Sequence, residues 1–330
     1  MKKIFFSGYS LDIGGIETSL VRLLNELSSK YEITLCLEKK EGVFLDSINK
    51  NINVIEYTPN NSQNIIFRKV INTIKRIKFI AKYRNKYDFS ACYATYSLAC
   101  NFTAKVASKN SCLWVHSDYL TIFNNDANKM MKFFNELGYE KYKNIVFVSN
   151  QSKINFERIL KHKGLNTIHN LIDNKYIIEN SEKEVNLKKE ENIITFLNVG
   201  RHEEAAKKLT RLIEASQKLK SDNYKFRVIM VGEGQDSKQY RELVNKYNLQ
   251  DEFIFVGKQK NPYPYFKISD CIILTSDYEG YPVVYQEAFV MNVPIITTEV
   301  SDSKQDVENK YGIVTRKIYP RDIWSNEKFL

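Results

Sequence analysis

Two kinds of segment alternate along this chain. Short, nearly unbroken apolar runs stand at Lys3–Gly8, Glu32–Leu37, Phe89–Tyr93, Cys112–His116, Asn144–Ser149, Asn192–Val199, Phe226–Val231, Phe253–Val256 and Cys271–Leu274. Runs of about four to eight apolar residues between turn signals predict strands buried on both faces. Ile52–Tyr57 and Pro294–Val300 read as further strands. Between the runs lie longer stretches with apolar residues at helical spacing. Ile16–Ser28 places Leu20, Leu23, Leu24 and Leu27 on one face, and Ser97–Ala107, Asn150–Leu160, Ala205–Leu219 and Asp236–Tyr247 follow the same rule. Strands alternating with helices predict an α/β fold with parallel sheets, whose ligands sit beyond the strand C-terminal ends. A chain of 330 residues suits two such domains rather than one. The boundaries read as 1–177 for the first domain, 178–191 for a charged linker without a clear apolar face, and 192–330 for the second. Ser117–Met131 is polar and reads as a mobile loop, and His169 reads as structural.

Asn64–Tyr87 breaks the pattern. Arg68, Lys69, Lys75, Arg76, Lys78, Lys82, Arg84 and Lys86 occur there with no acidic residue between them. Ile66, Val70, Ile74, Ile77 and Ile80 or Ala81 recur at helical spacing. Two readings stay open. The apolar stripe packs on the domain core and the charges face water, or the helix lies on an anionic bilayer.

Thr275–Ser301 carries the densest chemistry. A strand runs into a turn-rich loop, and Pro282 opens a helix that continues from Val283 to Met291 and ends at Asn292. The first amides of such a helix, those of Val283 and Val284, lack internal partners and suit a phosphate. Glu279 and Glu287 stand before and one turn inside the helix, placed to accept hydrogen bonds from sugar hydroxyls. Other candidates also follow strands. Gly14 and Gly15 bring bare backbone to a helix start, and His116 ends a strand. Arg201 sits at a strand tip, and Lys207 and Lys208 stand near the next helix start. Cations there oppose the helix dipole, which favours an anion between them.

Taken together, these segments resemble the retaining GT-B glycosyltransferases of the family 4 or group 1 type, which include sucrose synthase and many bacterial surface polysaccharide enzymes. The resemblance rests on Glu279-x7-Glu287, the Gly-Gly-x-Glu loop at Gly14 and Gly15, and the Gly-Arg-x5-Lys element from Gly200 to Lys207. Lys208 stands where that element usually has a glycine, and Leu171 stands where the Asn-Gly-Ile/Val-Asp stretch has one. The resemblance implies two Rossmann-like doubly wound domains facing a central cleft. It implies transfer of a sugar from a nucleotide diphosphate donor, a UDP-sugar, to an acceptor hydroxyl, with retained configuration and without metal or other cofactor. The acceptor it implies is a saccharide or lipid-linked saccharide in capsular or exopolysaccharide synthesis. On the same footing Glu287 binds the donor ribose, and Glu279, Gly280 and Tyr281 lie near the donor sugar. Arg201 and Lys207, or Lys208, neutralise the diphosphate with the Val283 and Val284 amides. Gly14 and Gly15 approach the diphosphate and acceptor, and Gly257 lines the nucleobase pocket. His116 contacts the donor sugar or orients the acceptor, as a neutral hydrogen-bonding group or as a base. Family members continue past the counterpart of Gly312-Ile-Val314 into helices that return to the first domain, so Arg316–Leu330 reads as a shortened C-terminus. The alternative is an inactive or weakly active relative that binds a nucleotide sugar or partners an active enzyme.

Composition refines this picture. A net charge of +10 favours anionic partners. No helix-turn-helix or base-stacking motif accompanies it, so nucleic acid is not the expected partner. Five cysteines are scattered without metal spacing and read as buried free thiols. The chain start is not a signal peptide and no stretch reaches membrane-spanning length, so the expected place is cytoplasmic, peripheral on the inner face of the cell membrane.

Overall fold

The computed structural model describes residues 1–316. The expectation of a shortened tail falls mainly on 317–330 and lies outside the described residues. The chain divides into two compact units, Met1–Leu171 and the part from Ile172 onward.

The first unit holds a parallel sheet of β1 (Lys3–Gly8), β2 (Glu32–Leu37), β3 (Asn53–Glu56), β4 (Phe89–Cys92), β5 (Ser111–Val115), β6 (Asn144–Phe147) and β7 (Leu165–Thr167), in the order β3-β2-β1-β4-β5-β6-β7. The second unit holds β8 (Ile194–Val199), β9 (Phe226–Val231), β10 (Phe253–Gly257), β11 (Cys271–Leu274), β12 (Ile295–Thr298) and β13 (Gly312–Thr315), in the order β10-β9-β8-β11-β12-β13, again parallel. Helices cover both faces of such sheets, which is why the strands read as continuous apolar runs rather than alternating ones. β9 is buried along its whole length; even Arg227 is tucked in, its guanidinium donating to Glu190 at 2.8 Å and to the Lys188 carbonyl at 2.9 Å.

The direction of winding reverses once in each sheet, between β1 and β4 and between β8 and β11. Crevices open at the strand C-terminal ends beside such a reversal, because neighbouring connections leave to opposite faces. The loops after β1, β8 and β11 are those in which the sequence places most of its candidate residues.

Two expectations are corrected. Ser117–Met131 is not a mobile loop: it holds the helix Tyr119–Ile122 and the start of the helix Ala127–Leu137. Asp126 caps the second helix by accepting from the Asn128 and Lys129 amides, and Gly138 ends it in the left-handed conformation at φ 62°. Met130, Phe134 and Leu137 then share one buried face, with Phe134 edge-on to Tyr119 and Phe156. The polar residues that suggest a loop are caps and the solvated side of a helix. The second correction is that Ala205–Leu219 is two helices, Glu204–Lys207 and Leu209–Ser221, broken at Lys208. All five cysteines are buried free thiols, and burial pushes Cys36, Cys92, Cys112 and Cys271 up to about 12.

Candidate functional site

In the second unit, the chain leaving β8 and the chain leaving β11 are bound to each other before any ligand is considered. The Asp277 amide donates to the Ala206 carbonyl at 2.8 Å. Thr275 Oγ1 lies 2.9 Å and 3.0 Å from the carbonyl oxygens of Lys207 and Lys208 and shares its proton between them. Arg211 donates to Asp277 at 2.6 Å and to the Thr275 carbonyl at 3.2 Å, and Lys208 Nζ stands 3.8 Å from Asp277. These contacts fix two backbone turns side by side, and Lys207 and Glu279 project from them.

Lys207 Nζ donates to Glu279 Oε1 at 2.5 Å, and Ser276 Oγ donates to the same oxygen at 2.7 Å. The Lys207 and Glu279 side chains are largely buried, 22% and 13% exposed. Lys208 sits at φ 49°, in the left-handed region that costs a residue with a Cβ energy and suits glycine. This gives a physical account of the glycine usual at that place, and it is what turns Lys207 and Lys208 to different partners. Gly232, at φ 143°, shows the complementary constraint: a Cβ there would stand 1.8 Å from the Gly200 carbonyl oxygen, so the turn after β9 can pack on the turn after β8 only as glycine.

The helix Val283–Met291 begins directly after this loop, with Pro282 at its N-cap and Asn292 in the left-handed conformation at its end. Glu287 is buried at 6% exposure, in a helix otherwise made almost wholly of apolar side chains. Its Oε1 accepts from the Tyr263 hydroxyl at 3.0 Å. A carboxylate is costly to bury unless hydrogen-bonded, and Tyr263 supplies that bond from the short helix Tyr263–Lys267. Tyr281 donates to Asp306 at 2.8 Å, and the Gly280 carbonyl accepts from Ser301, which pin the loop from its other side. Arg201 is placed differently: its side chain is 68% exposed, with Glu203 at 3.6 Å. Gly257 ends β10 at φ 71°.

In the first unit, Gly14 caps and Gly15 starts the helix Gly15–Leu27. Ser19 of that helix lies 2.7 Å from the Tyr93 hydroxyl and donates to Asn170 Oδ1 at 2.9 Å, joining the loops after β1, β4 and β7. Tyr93 packs on Trp114 and His116, ring centres 5.1 Å and 4.3 Å away. His116 Nε2 is buried with no hydrogen-bond partner among the described residues. His169 donates from Nδ1 to the Val148 carbonyl at 2.8 Å, a structural bond.

Burial pushes the His116 imidazole down to about 3. It is therefore neutral throughout the physiological range and suits hydrogen bonding rather than base catalysis. An unfolded histidine titrates near ~6.5. Between that pH and about 3 the unfolded chain binds the extra proton, so the stabilisation present above the upper limit is lost as pH falls. Thermal unfolding should therefore show a smaller loss of Tm from about pH 7 to about pH 4 in His116→Gln than in the parent chain. Equal losses would put the acid sensitivity elsewhere.

The sequence singles out Glu279, Lys207 and Glu287 but not Ser276, Thr275, Arg211 or Tyr263, which hold them. Their only signal is that a buried hydroxyl or guanidinium needs a partner.

Residues 178–317 match the family described as glycosyl transferases group 1. That stretch of the second unit is similar to the glycosyl transferases of group 1, and it contains Arg201, Lys207, Lys208, Gly257, Glu279 and Glu287. The chain is 27% identical over 241 residues to the uncharacterized glycosyltransferase MJ1059 of Methanocaldococcus jannaschii, a match covering 66% of this chain and 59% of that protein's length. It is 24% identical over 331 aligned positions to the N-acetylgalactosamine-N,N'-diacetylbacillosaminyl-diphospho-undecaprenol 4-alpha-N-acetylgalactosaminyltransferase of Campylobacter jejuni, covering 95% of this chain and 86% of that one. The crystal structure of Anabaena Alr3699/HepE in complex with UDP and glucose matches with a TM-score of 0.78 at 16% identity, covering 98% of this chain and 88% of that one. Likeness at that identity establishes the fold, the GT-B fold of two parallel-sheet α/β domains.

Proposed function

We propose that this chain is a retaining glycosyltransferase that moves a sugar from a nucleoside diphosphate donor, a UDP-sugar, to a hydroxyl of a lipid-linked saccharide in cell-surface polysaccharide assembly. The observation that carries the reading is the cluster at the β8/β11 reversal. An ion-paired lysine and glutamate stand before a helix N-terminus, and a buried carboxylate follows one turn inside that helix. The HepE structure holding UDP and glucose and the Campylobacter relative's name, which specifies a diphospho-undecaprenol-linked substrate, support the donor and acceptor classes.

On this reading the donor diphosphate lies against the Val283 and Val284 amides, with Lys207 and Arg201 as counter-charges. Breaking the glycosidic bond leaves negative charge on the nucleoside diphosphate, and fixed donors aimed at that charge lower the barrier. Glu287 takes the ribose hydroxyls and Glu279 the donor sugar, its second contact with Ser276 keeping it in place when Lys207 turns to phosphate. The cations and the helix dipole serve the diphosphate directly. The first unit takes the acceptor, with His116 as a neutral hydrogen-bonding group and Gly14 and Gly15 giving backbone access.

A screen of nucleoside diphosphate sugars by thermal shift and donor turnover tests this. Stabilisation by UDP-sugars and release of UDP with an acceptor are expected. Binding without turnover on any acceptor would favour an inactive sugar-nucleotide-binding relative, and no stabilisation by any donor would overturn the reading.

A further inference from the structure

The helix Ile65–Tyr83 carries two apolar faces, and only one of them is used. Toward the first unit it turns Phe79, its single buried residue, against Tyr57, Tyr83 and Phe102, with ring centres 5.0, 4.6 and 5.8 Å away. Asn72 and Lys75 hold the same side down. The Asn72 side chain accepts from the Asn60 amide at 2.7 Å and donates to the Asn60 carbonyl at 3.0 Å, and Lys75 donates to the Thr58 carbonyl at 2.7 Å. The opposite side presents Ile66, Val70, Ile74 and Ile77, exposed by 77%, 51%, 44% and 61%. At 3.6 residues per turn these four fall within an arc of roughly 80°, a continuous stripe and not scattered surface residues. Phe67, 52% exposed, widens it at the N-terminal end. The same wheel puts Lys69 along one margin of the stripe and Lys78 and Lys82 along the other, while Arg76 turns inward with its guanidinium 5.4 Å over the Phe102 ring.

That settles where the stripe points: outward, with the core served by different residues. It also narrows what covers it. The helix has no acidic residue in its first turn, and Asn64–Tyr87 has none at all. An apolar strip bordered on both sides by cations complements a surface that is apolar beneath and anionic above. We propose that this face docks on an anionic lipid bilayer, the helix lying in the interface with its isoleucines among the acyl chains and its lysines and arginines at the headgroups. No helix among the described residues is long and apolar enough to cross a membrane, and this mode of attachment needs none. The inference deepens the reading of a lipid-linked acceptor by naming the surface that meets its membrane.

Co-sedimentation of the full chain with vesicles tests it, in the absence of nucleotide sugar and acceptor, so that failure here and failure of the transferase reading are separate results. Vesicles of phosphatidylcholine with one third phosphatidylglycerol should bind the chain, and vesicles of phosphatidylcholine alone should not. Binding should weaken as salt rises, because exposed charges are screened. Ile74→Glu with Ile77→Glu should lower the partition at least about tenfold. Lys69→Gln with Lys78→Gln should lower it about fivefold per lost cation. Both pairs lie on the exposed side, so the far-ultraviolet circular dichroism and the Tm without ligand should stay as in the parent and certify the fold. In Ile77→Trp, indole emission should shift blue on adding anionic vesicles and be quenched by brominated acyl chains. Equal binding to neutral vesicles, no binding to either, or loss of self-association rather than of lipid binding in the Ile74→Glu, Ile77→Glu chain would each overturn the proposal. The last would make the stripe a contact between copies of this chain.

Discussion

Replacing Lys207 by methionine should lower the rate of donor cleavage by about 10²–10³, the usual consequence of removing one fixed donor aimed at transition-state charge. The effect should fall on kcat more than on KM, since the negative charge that the ammonium meets grows as the leaving group departs. The ion pair with Glu279 makes a second explanation available, in which Lys207 serves only to neutralise a largely buried carboxylate. Stripping one partner from such a pair leaves the other uncompensated and destabilises the fold. The two roles part company in the chain carrying Lys207→Met together with Glu279→Gln. Thermal stability should recover toward the parent, because the amide needs no counter-charge and keeps the Ser276 bond. Turnover per folded molecule should stay low. If Lys207→Met alone retained the parent's turnover once corrected for folded protein, the lysine would belong to the architecture and the diphosphate site would need another cation. Lys208, Arg211 and Arg201 are the nearest in sequence, Lys208 and Arg211 facing Asp277 and Arg201 exposed.

Much of this arrangement was legible before any coordinates. The strands β1, β2, β9 and β11 begin and end where the apolar runs do, because a strand covered on both faces is apolar at most of its positions, and its few polar residues, such as Ser7, Thr34 and Arg227, do not break the run. The helix Val283–Met291 was equally plain: Pro282 before it and Asn292 after it are both backbone signals. What escaped were features that depend on partners distant in sequence. Lys207 and Glu279 lie 72 positions apart and meet only because β8 and β11 are neighbours in the sheet. The break at Lys208 escaped for a different reason. A lysine gives no sign that it must take a left-handed backbone; the Thr275 hydroxyl and Asp277 amide that hold the turn come from the other loop. In the first unit, an amphipathic pattern alone could not tell which apolar face of Ile65–Tyr83 is buried. Phe79 and Ile77 are two residues apart and equally apolar, and the choice was made by Tyr57 and Phe102, aromatic partners outside the helix.

Glu287→Gln should weaken UDP binding by about tenfold to a hundredfold, the range expected when hydrogen bonds to a charged acceptor become bonds to a neutral one. The glutamine is nearly isosteric and its carbonyl can still accept from Tyr263, so the helix should keep its place and the loss should be one of affinity rather than of folding. The burial of this carboxylate is what makes the test informative. Packing alone would favour an apolar side chain at a position flanked by Val284 and Ala288, both buried. Tyr263 satisfies one oxygen and orients the group, a form of preorganisation suited to holding a diol. Tyr263→Phe should therefore cost less than Glu287→Gln, because it loosens the carboxylate without removing it. Calorimetry with UDP and a deoxyribose counterpart completes the cycle. The parent chain should prefer UDP, since a carboxylate built to receive a hydroxyl is left unpaired by the ligand that lacks it. The Glu287→Gln chain should lose most of that preference. Should it discriminate by the parent's ratio, the ribose is held elsewhere, and the buried glutamate then has no role that the packing of its helix explains.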